Sequence, residues 1–285
     1  MAGASRNPLA VITGAYGGTG RAVARRLGVR YRLVLAGRDT ANIVRLRDSL
    51  EEEGYDVVAA VTADVTSERS VTELAAAAAE VGRLGALVHT AGLSPVQAPW
   101  QAVVAVNLAG SALLLDAFRP VAGPGSVAVC IGSSAAYTIP VPAAVDALLD
   151  EPRADDLIPK LEALLADVGQ ETGYGFAVRA YGASKRGLLR LVERSAADWA
   201  TRGARVVSVS PGPMLTPMGR AELAANPLAV AAATATPLGP VGRPADIAAA
   251  VDFLTSESAG YITGCDLRVD GGTVAARLHP AQPSS

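Results

Sequence analysis

Tyr181 and Lys185 stand four positions apart in Tyr181-Gly-Ala-Ser-Lys185, a spacing that puts a phenol and an ammonium on one face of a helix. A free phenol titrates near 10 and is a poor base at neutral pH, but a neighbouring ammonium favours its ionised form. Bringing that pKa to neutrality takes roughly 4 kcal/mol of differential stabilisation. The spacing is common by chance, so its weight comes from its surroundings. A Ser133-Ser134 pair ends a strand upstream, and a glycine-rich turn opens the chain.

That turn is Thr13-Gly14-Ala15-Tyr16-Gly17-Gly18-Thr19-Gly20, between an apolar strand and a helix. Its glycines allow a tight turn and let backbone approach a pyrophosphate, whose charge suits the free N–H groups of a helix N-terminus. Gly14, Gly18 and Gly20 give G-x-x-x-G-x-G rather than the general G-x-G-x-x-G spacing. The second strand ends Leu35-Ala36-Gly37-Arg38-Asp39. Gly37 leaves the usual place of a ribose-binding acid empty, and Arg38 can pair with a 2′-phosphate. Asp39 could instead take the ribose hydroxyls, so NADP is the preferred cofactor and NAD the other candidate.

The elements that position these groups alternate. Strands are expected at 9–13, 32–36, 56–62, 86–89, 126–131, 205–209 and 267–269, with helices between them, including 42–53, 68–81, 100–118 and 178–200. This pattern predicts an α/β fold: one Rossmann-type, doubly wound parallel sheet of about seven strands, in a single domain over 1–285. A helical insertion of about 139–176 departs from the alternation. Leu161, Leu164, Leu165 and Val168 form an apolar stripe in it. It either packs on its own domain or gates the site or sets the oligomer.

Composition closes several routes. Lys plus Arg number 25 against 27 Asp plus Glu, with no basic cluster, so nucleic acid is a poor partner. Two cysteines without zinc-ligand spacing and two histidines argue against a metal site. The uncharged stretch 84–115 is long enough to span a membrane but carries Pro95, Pro99, Gln97, Gln101 and Asn107, so no membrane helix is expected. The first residues hold too short an apolar run for a signal peptide, and a reduced, cytoplasmic setting is expected.

Together these residues resemble the classical short-chain dehydrogenase/reductases over nearly the whole chain. The resemblance rests on T-G-x-x-x-G-x-G at 13–20, Asp64-Val65, His89-Thr-Ala-Gly92 and Asn107 in Val-Asn-Leu. It continues through Gly132-Ser-Ser134, Tyr181-x-x-x-Lys185, Pro211-Gly212-Pro-Met-Leu-Thr216 and the closing Gly264 to Gly272 stretch. The long gap before Tyr181 further resembles the bacterial 3α-hydroxysteroid dehydrogenase/carbonyl reductase branch.

The resemblance implies that Tyr181 exchanges a proton with the substrate oxygen. Lys185 would lower its pKa and hold the nicotinamide ribose. Ser134, as second of its pair, would bond the substrate oxygen, and Asn107 would kink its helix and hold a water in the proton path. Cofactor contacts are implied for Gly14, Tyr16, Gly18, Thr19, Gly20 and Arg38, for Asp64 and Val65 at the adenine, and for Thr90, Ala91 and Gly92 on the ribose side. Gly212, Met214 and Thr216 would meet the nicotinamide end. Gly17, where many NADP-preferring members have a basic residue, runs against that cofactor.

The segment 213–240 falls where the family builds its substrate lid and is apolar, which points to an apolar ketone, aldehyde or secondary alcohol of steroid-, terpenoid- or aromatic-like kind. Helices 100–118 and 178–200 commonly form the family's dimer interface, and the insertion could obstruct that face. A homodimer is expected, with a tetramer as the alternative. The competing functional reading is a catalytically silent dinucleotide-binding or sensor protein.

Overall fold

The computed structural model describes residues 7–166, 175–239 and 241–280. Its seven strands are β1 (Leu9–Thr13), β2 (Arg32–Gly37), β3 (Val57–Thr62), β4 (Leu84–His89), β5 (Val127–Ile131), β6 (Arg205–Pro211) and β7 (Asp266–Val269). They form one parallel sheet in the order β3-β2-β1-β4-β5-β6-β7. The central strands are buried almost throughout, which is why they read as unbroken apolar runs rather than as alternations. β1 pairs with β2 on one side and with β4 on the other, so the loops after β1 and β4 diverge and leave a crevice at the strand carboxyl ends.

Two apolar layers cover the sheet. On one face pack α1 (Gly18–Leu27), α2 (Thr40–Glu52) and α12 (Pro244–Leu254), through Val23, Leu27, Ile43, Ile247 and Val251. On the other pack α3 (Glu68–Val81), the helix after β4, and α9 (Phe176–Ala200), through Leu74, Leu114, Phe118, Leu188 and Trp199.

The helix expected over 100–118, with a kink at Asn107, is interrupted there. It runs as α4 (Trp100–Val104), a π-helical turn at Ala105–Ala109 that contains Asn107, and α5 (Gly110–Phe118). A π-turn inserts one extra residue without breaking the apolar face, so a helical repeat does not reveal it. The stretch Trp100–Val121 is apolar and long enough to cross a membrane by composition, but 61% of its most apolar window is buried inside the protein, as befits a core helix.

After β5 come α6 (Ala135–Thr138), α7 (Val145–Leu149) and α8 (Leu157–Ala166). Val145, Leu149, Leu157, Leu161 and Leu165 form a third cluster with Val104 and Leu108 and with Ala180 and Ala183 of α9. Fully burying one such leucine contributes about 1.5–3 kcal/mol. Arg186 and Arg190 of α9 add ion pairs to Asp146 and Asp150, each at 2.6 Å. The insertion thus packs on its own chain, against α4 and α9. Leu164 lies at the edge of that cluster, while Val168 and the rest of 167–174 lie outside the described residues.

Candidate active site

A cleft of about 450 Å³ lies at the carboxyl ends of β1, β2, β4, β5 and β6. The glycine turn forms its floor. Gly14 has φ +65°, and a Cβ there would stand 2.6 Å from the Ala91 amide nitrogen; one at Gly20 would stand 2.5 Å from the Gly14 carbonyl. Any side chain at either position would fill the cradle. Gly17 caps α1 without a side-chain bond and no acid sits in its first turn, leaving its N–H groups and dipole free for an anion. The cradle therefore fits a dinucleotide pyrophosphate.

The end of β2 sorts its two charged neighbours. The Asp39 carboxylate accepts from the Asn42 amide N–H (2.9 Å) and from the Asn42 side-chain amide (2.6 Å), capping α2. Arg38 is exposed at the cleft edge. Gly37 packs under Tyr16, where a Cβ would meet the ring at 2.6 Å.

The Lys185 ammonium donates to the Ile131 carbonyl at 2.9 Å. Burial lowers its pKa to about 8, against the opposing influence of Cys130 and Glu222. Tyr181, one helical turn earlier, lines the same cleft. Burial and then the Glu222 charge raise its phenol above the ordinary value, while a hydrogen bond from Ser133 favours ionisation. The net effect of burial and the Glu222 charge favours the protonated phenol. At neutral pH the phenol keeps its proton.

The serine also differs from expectation. Ser133 lines the cleft and bonds Tyr181, and its oxygen accepts from the Ala135 amide at 3.1 Å. Ser134 is the N-cap of α6; its amide donates to the Pro211 carbonyl at 2.8 Å, and it does not line the cleft. The strand ends at Ile131, and at Gly132 a Cβ would stand 2.5 Å from Ser210 Oγ, so only glycine fits before the serine pair.

Asn107 is fully buried and acts on backbone. Its side-chain oxygen accepts from the Leu93 amide (2.8 Å) and its nitrogen donates to the Leu93 carbonyl (2.9 Å), which fixes the loop after β4. The Asn107 carbonyl accepts from Ser111 Oγ at 2.8 Å. Because that hydroxyl spends its proton there, the 2.9 Å contact between His89 Nε2 and Ser111 Oγ has His89 as donor, leaving Nδ1 to accept from Thr13 Oγ1 at 2.7 Å. Burial holds His89 down at about 3, so it is neutral.

Of the remaining expected cofactor residues, Gly18, Thr19, Val65, Thr90, Gly92, Gly212, Met214 and Thr216 line the cleft with those already described. Asp64 does not; its carboxylate accepts from the Thr66 amide and hydroxyl at 2.9 and 2.8 Å, and Ala63 lines the wall in its place. Met218, expected in the apolar lid segment, lines the cleft too, whereas sequence reasoning missed Leu93, Gln97 and Glu222. A lone acid in the apolar segment after β6 was the only signal for Glu222.

Comparison with known proteins gives the family. The short chain dehydrogenase family model covers residues 8–145, and the enoyl-(acyl carrier protein) reductase model covers 164–274. A short-chain dehydrogenase/reductase of Alternaria brassicicola is 33% identical over 93% of this chain and 95% of its own. The 3-alpha-hydroxysteroid dehydrogenase/carbonyl reductase of Comamonas testosteroni is 31% identical over 88% of this chain and 98% of its own. Among solved structures, the RhlG/NADP active-site complex of Pseudomonas aeruginosa superposes with a TM-score of 0.71 at 25% identity, covering 95% of this chain and 98% of that one.

Fold and cleft define a nicotinamide-dependent oxidoreductase acting on CH–OH or C=O groups. The chain belongs to the short-chain dehydrogenase/reductase family.

Proposed function

We propose that the protein is an NADP(H)-dependent carbonyl reductase and alcohol dehydrogenase, acting on substrates with an apolar ring or chain around the reacting carbon. The observation that carries this reading is the meeting of the Tyr181 phenol, the Ser133 hydroxyl and Lys185 in the cleft that holds the glycine turn. When bound, the nicotinamide supplies or takes up the hydride. In reduction, Tyr181 donates its proton to the carbonyl oxygen, as a protonated phenol can; in oxidation it takes the proton back. Ser133 bonds the same oxygen and stabilises its developing charge. Lys185 holds the nicotinamide ribose, and Asn107 keeps the Leu93 loop in place. Ser134 has no part in this assignment.

Arg38, exposed beside the cleft, supports NADP, since Asp39 is occupied in capping α2. The solved NADP complex of a structural relative supports the same choice. Leu93, Met214 and Met218 support an apolar substrate body of steroid-, terpenoid- or aromatic-like kind, under a lid formed by the segment after β6. That α7 and α8 cover α4 and α9 favours a homodimer through another face. The free thiols of Cys130 and Cys265 support a reduced, cytoplasmic setting.

The test is NADPH consumption by a panel of ketones and aldehydes, with Tyr181→Phe alongside. The expected result is turnover by the wild type and none by the variant, with NADPH still raising the variant's melting temperature. Equal turnover by both proteins would remove Tyr181 from the chemistry. Binding of NADPH with no turnover of any carbonyl or alcohol would favour a silent sensor.

A further inference from the structure

The cleft contains one acid that the proton transfer does not require. Glu222 sits on α10 (Pro217–Ala225), one turn beyond Met218, and both line the cleft with Tyr181, Lys185 and Ser133. The helix is fixed in place at its start: Thr216 Oγ1 accepts from the Gly219 amide at 2.9 Å, and the Met214 carbonyl leaves Gly219 no room for a Cβ. The face bearing Met218 and Glu222 is therefore set toward the cleft.

We propose that Glu222 is a specificity-determining residue whose carboxylate accepts a hydrogen bond from a hydroxyl on the substrate, so that the enzyme favours hydroxyketones, and diols in the reverse direction, over plain ketones. This rests on the carbonyl-reducing reading of the same cleft.

Three observations carry it. Glu222 is half-buried, and burial raises its carboxyl pKa, with the Ser94 hydroxyl and the Lys185 charge working the other way. It lines the same cleft as Tyr181, Lys185 and Ser133, and its charge acts on the first two. It is also not used up: among the described residues Glu222 enters no ion pair, and the fully buried Ser94 hydroxyl that acts on it makes no well-formed hydrogen bond. An ionised carboxylate is an acceptor with about four lone-pair sites, so one hydroxyl leaves it able to accept more.

The chemistry of the occupant follows. A wholly apolar substrate would strip water from the carboxylate and return no donor, which is unfavourable. An anionic substrate would meet like charge. An amine is less suited than a neutral donor, because the Lys185 ammonium already shares the cleft and offsets the acid. A hydroxyl near the carbonyl satisfies the carboxylate through a charge-assisted bond and leaves the cleft's charge balance unchanged.

The experiment compares kcat/KM for α-hydroxyacetophenone and acetophenone with NADPH in the wild type, Glu222→Gln and Glu222→Leu. Intrinsic reactivity of the two ketones is common to all three proteins and cancels when their ratios are compared. The ratio is expected to fall at least tenfold in Glu222→Leu, about 1.4 kcal/mol, and less in Glu222→Gln, whose amide oxygen still accepts. An unchanged ratio in both variants overturns the proposal, including when both substrates slow together, since that is what a purely structural acid would give. If Glu222→Leu does not fold, Glu222→Ala, which likewise has no acceptor, takes its place and its ratio decides. Turnover of neither ketone by the wild type contradicts the carbonyl-reduction reading itself.

Discussion

The Asp39 carboxylate holds Asn42 twice, taking its amide N–H at 2.9 Å and its side-chain amide at 2.6 Å. With Asp39 turned to its own helix in this way, the proposed preference for NADP rests on the exposed Arg38 beside it. Charge-assisted hydrogen bonds contribute about 1.5–3 kcal/mol. Arg38→Ala should therefore weaken NADPH binding by roughly 10- to 100-fold and leave NADH binding nearly unchanged, as read by fluorescence titration. Equal weakening of both cofactors would place Arg38 elsewhere than at the 2′-phosphate.

Ser133 and Ser134 separate two geometries that differ by one residue. Ser133 bonds Tyr181 and faces the cleft, whereas Ser134 begins α6. Removing a donor aimed at a developing oxyanion costs about 10²–10³ in kcat, so Ser133→Ala should show a loss of that order and Ser134→Ala a loss under about tenfold. Steady-state kinetics of the two variants decides it; the reverse ranking would return the role to Ser134.

Lys185 gives a pH dependence of known sign. Its pKa is about 8 in the folded protein against 10.5 for the free side chain, lowered first by burial. Between those values the unfolded chain binds the proton that the folded chain has released, so this group's contribution to stability rises with pH. Below about 8 both states are protonated and the burial penalty is felt in full. The melting temperature of the wild type relative to Lys185→Met should accordingly climb from pH 8 to 10.5 and be flat from pH 6 to 7.5. A difference that is constant throughout would mean that Lys185 titrates at its ordinary value.

Much of this arrangement is legible in the residues. The turn at 13–20 declares itself because only glycine can stand where Gly14 and Gly20 do, and Tyr181 with Lys185 because four positions make one helical turn. The stripe at Leu161 and Leu165 correctly marks a buried face, but not that α4 and α9 bury it, since a stripe names no partner. Other features depend on registers that local pattern does not encode. Which of Ser133 and Ser134 lies in the cleft depends on where the next helix begins, and Ser134 caps it with its amide on the Pro211 carbonyl, a contact made across the sheet. The kink at Asn107 follows from the resemblance, but its form, a π-turn, does not. Asp64 and Asp39 fit a cofactor by position, and each also bonds a neighbour, Thr66 and Asn42, that a motif does not weigh.

The central claim is direct hydride exchange between nicotinamide and a carbonyl carbon in this cleft. It is tested most directly by incubating the protein with acetophenone and NADPH carrying deuterium at both C4 positions, then locating the label in the alcohol by mass spectrometry. The predicted result is a single deuterium on the carbinol carbon, with none delivered by Tyr181→Phe. An alcohol formed without deuterium at that carbon, or no alcohol from any carbonyl tried, would contradict the account.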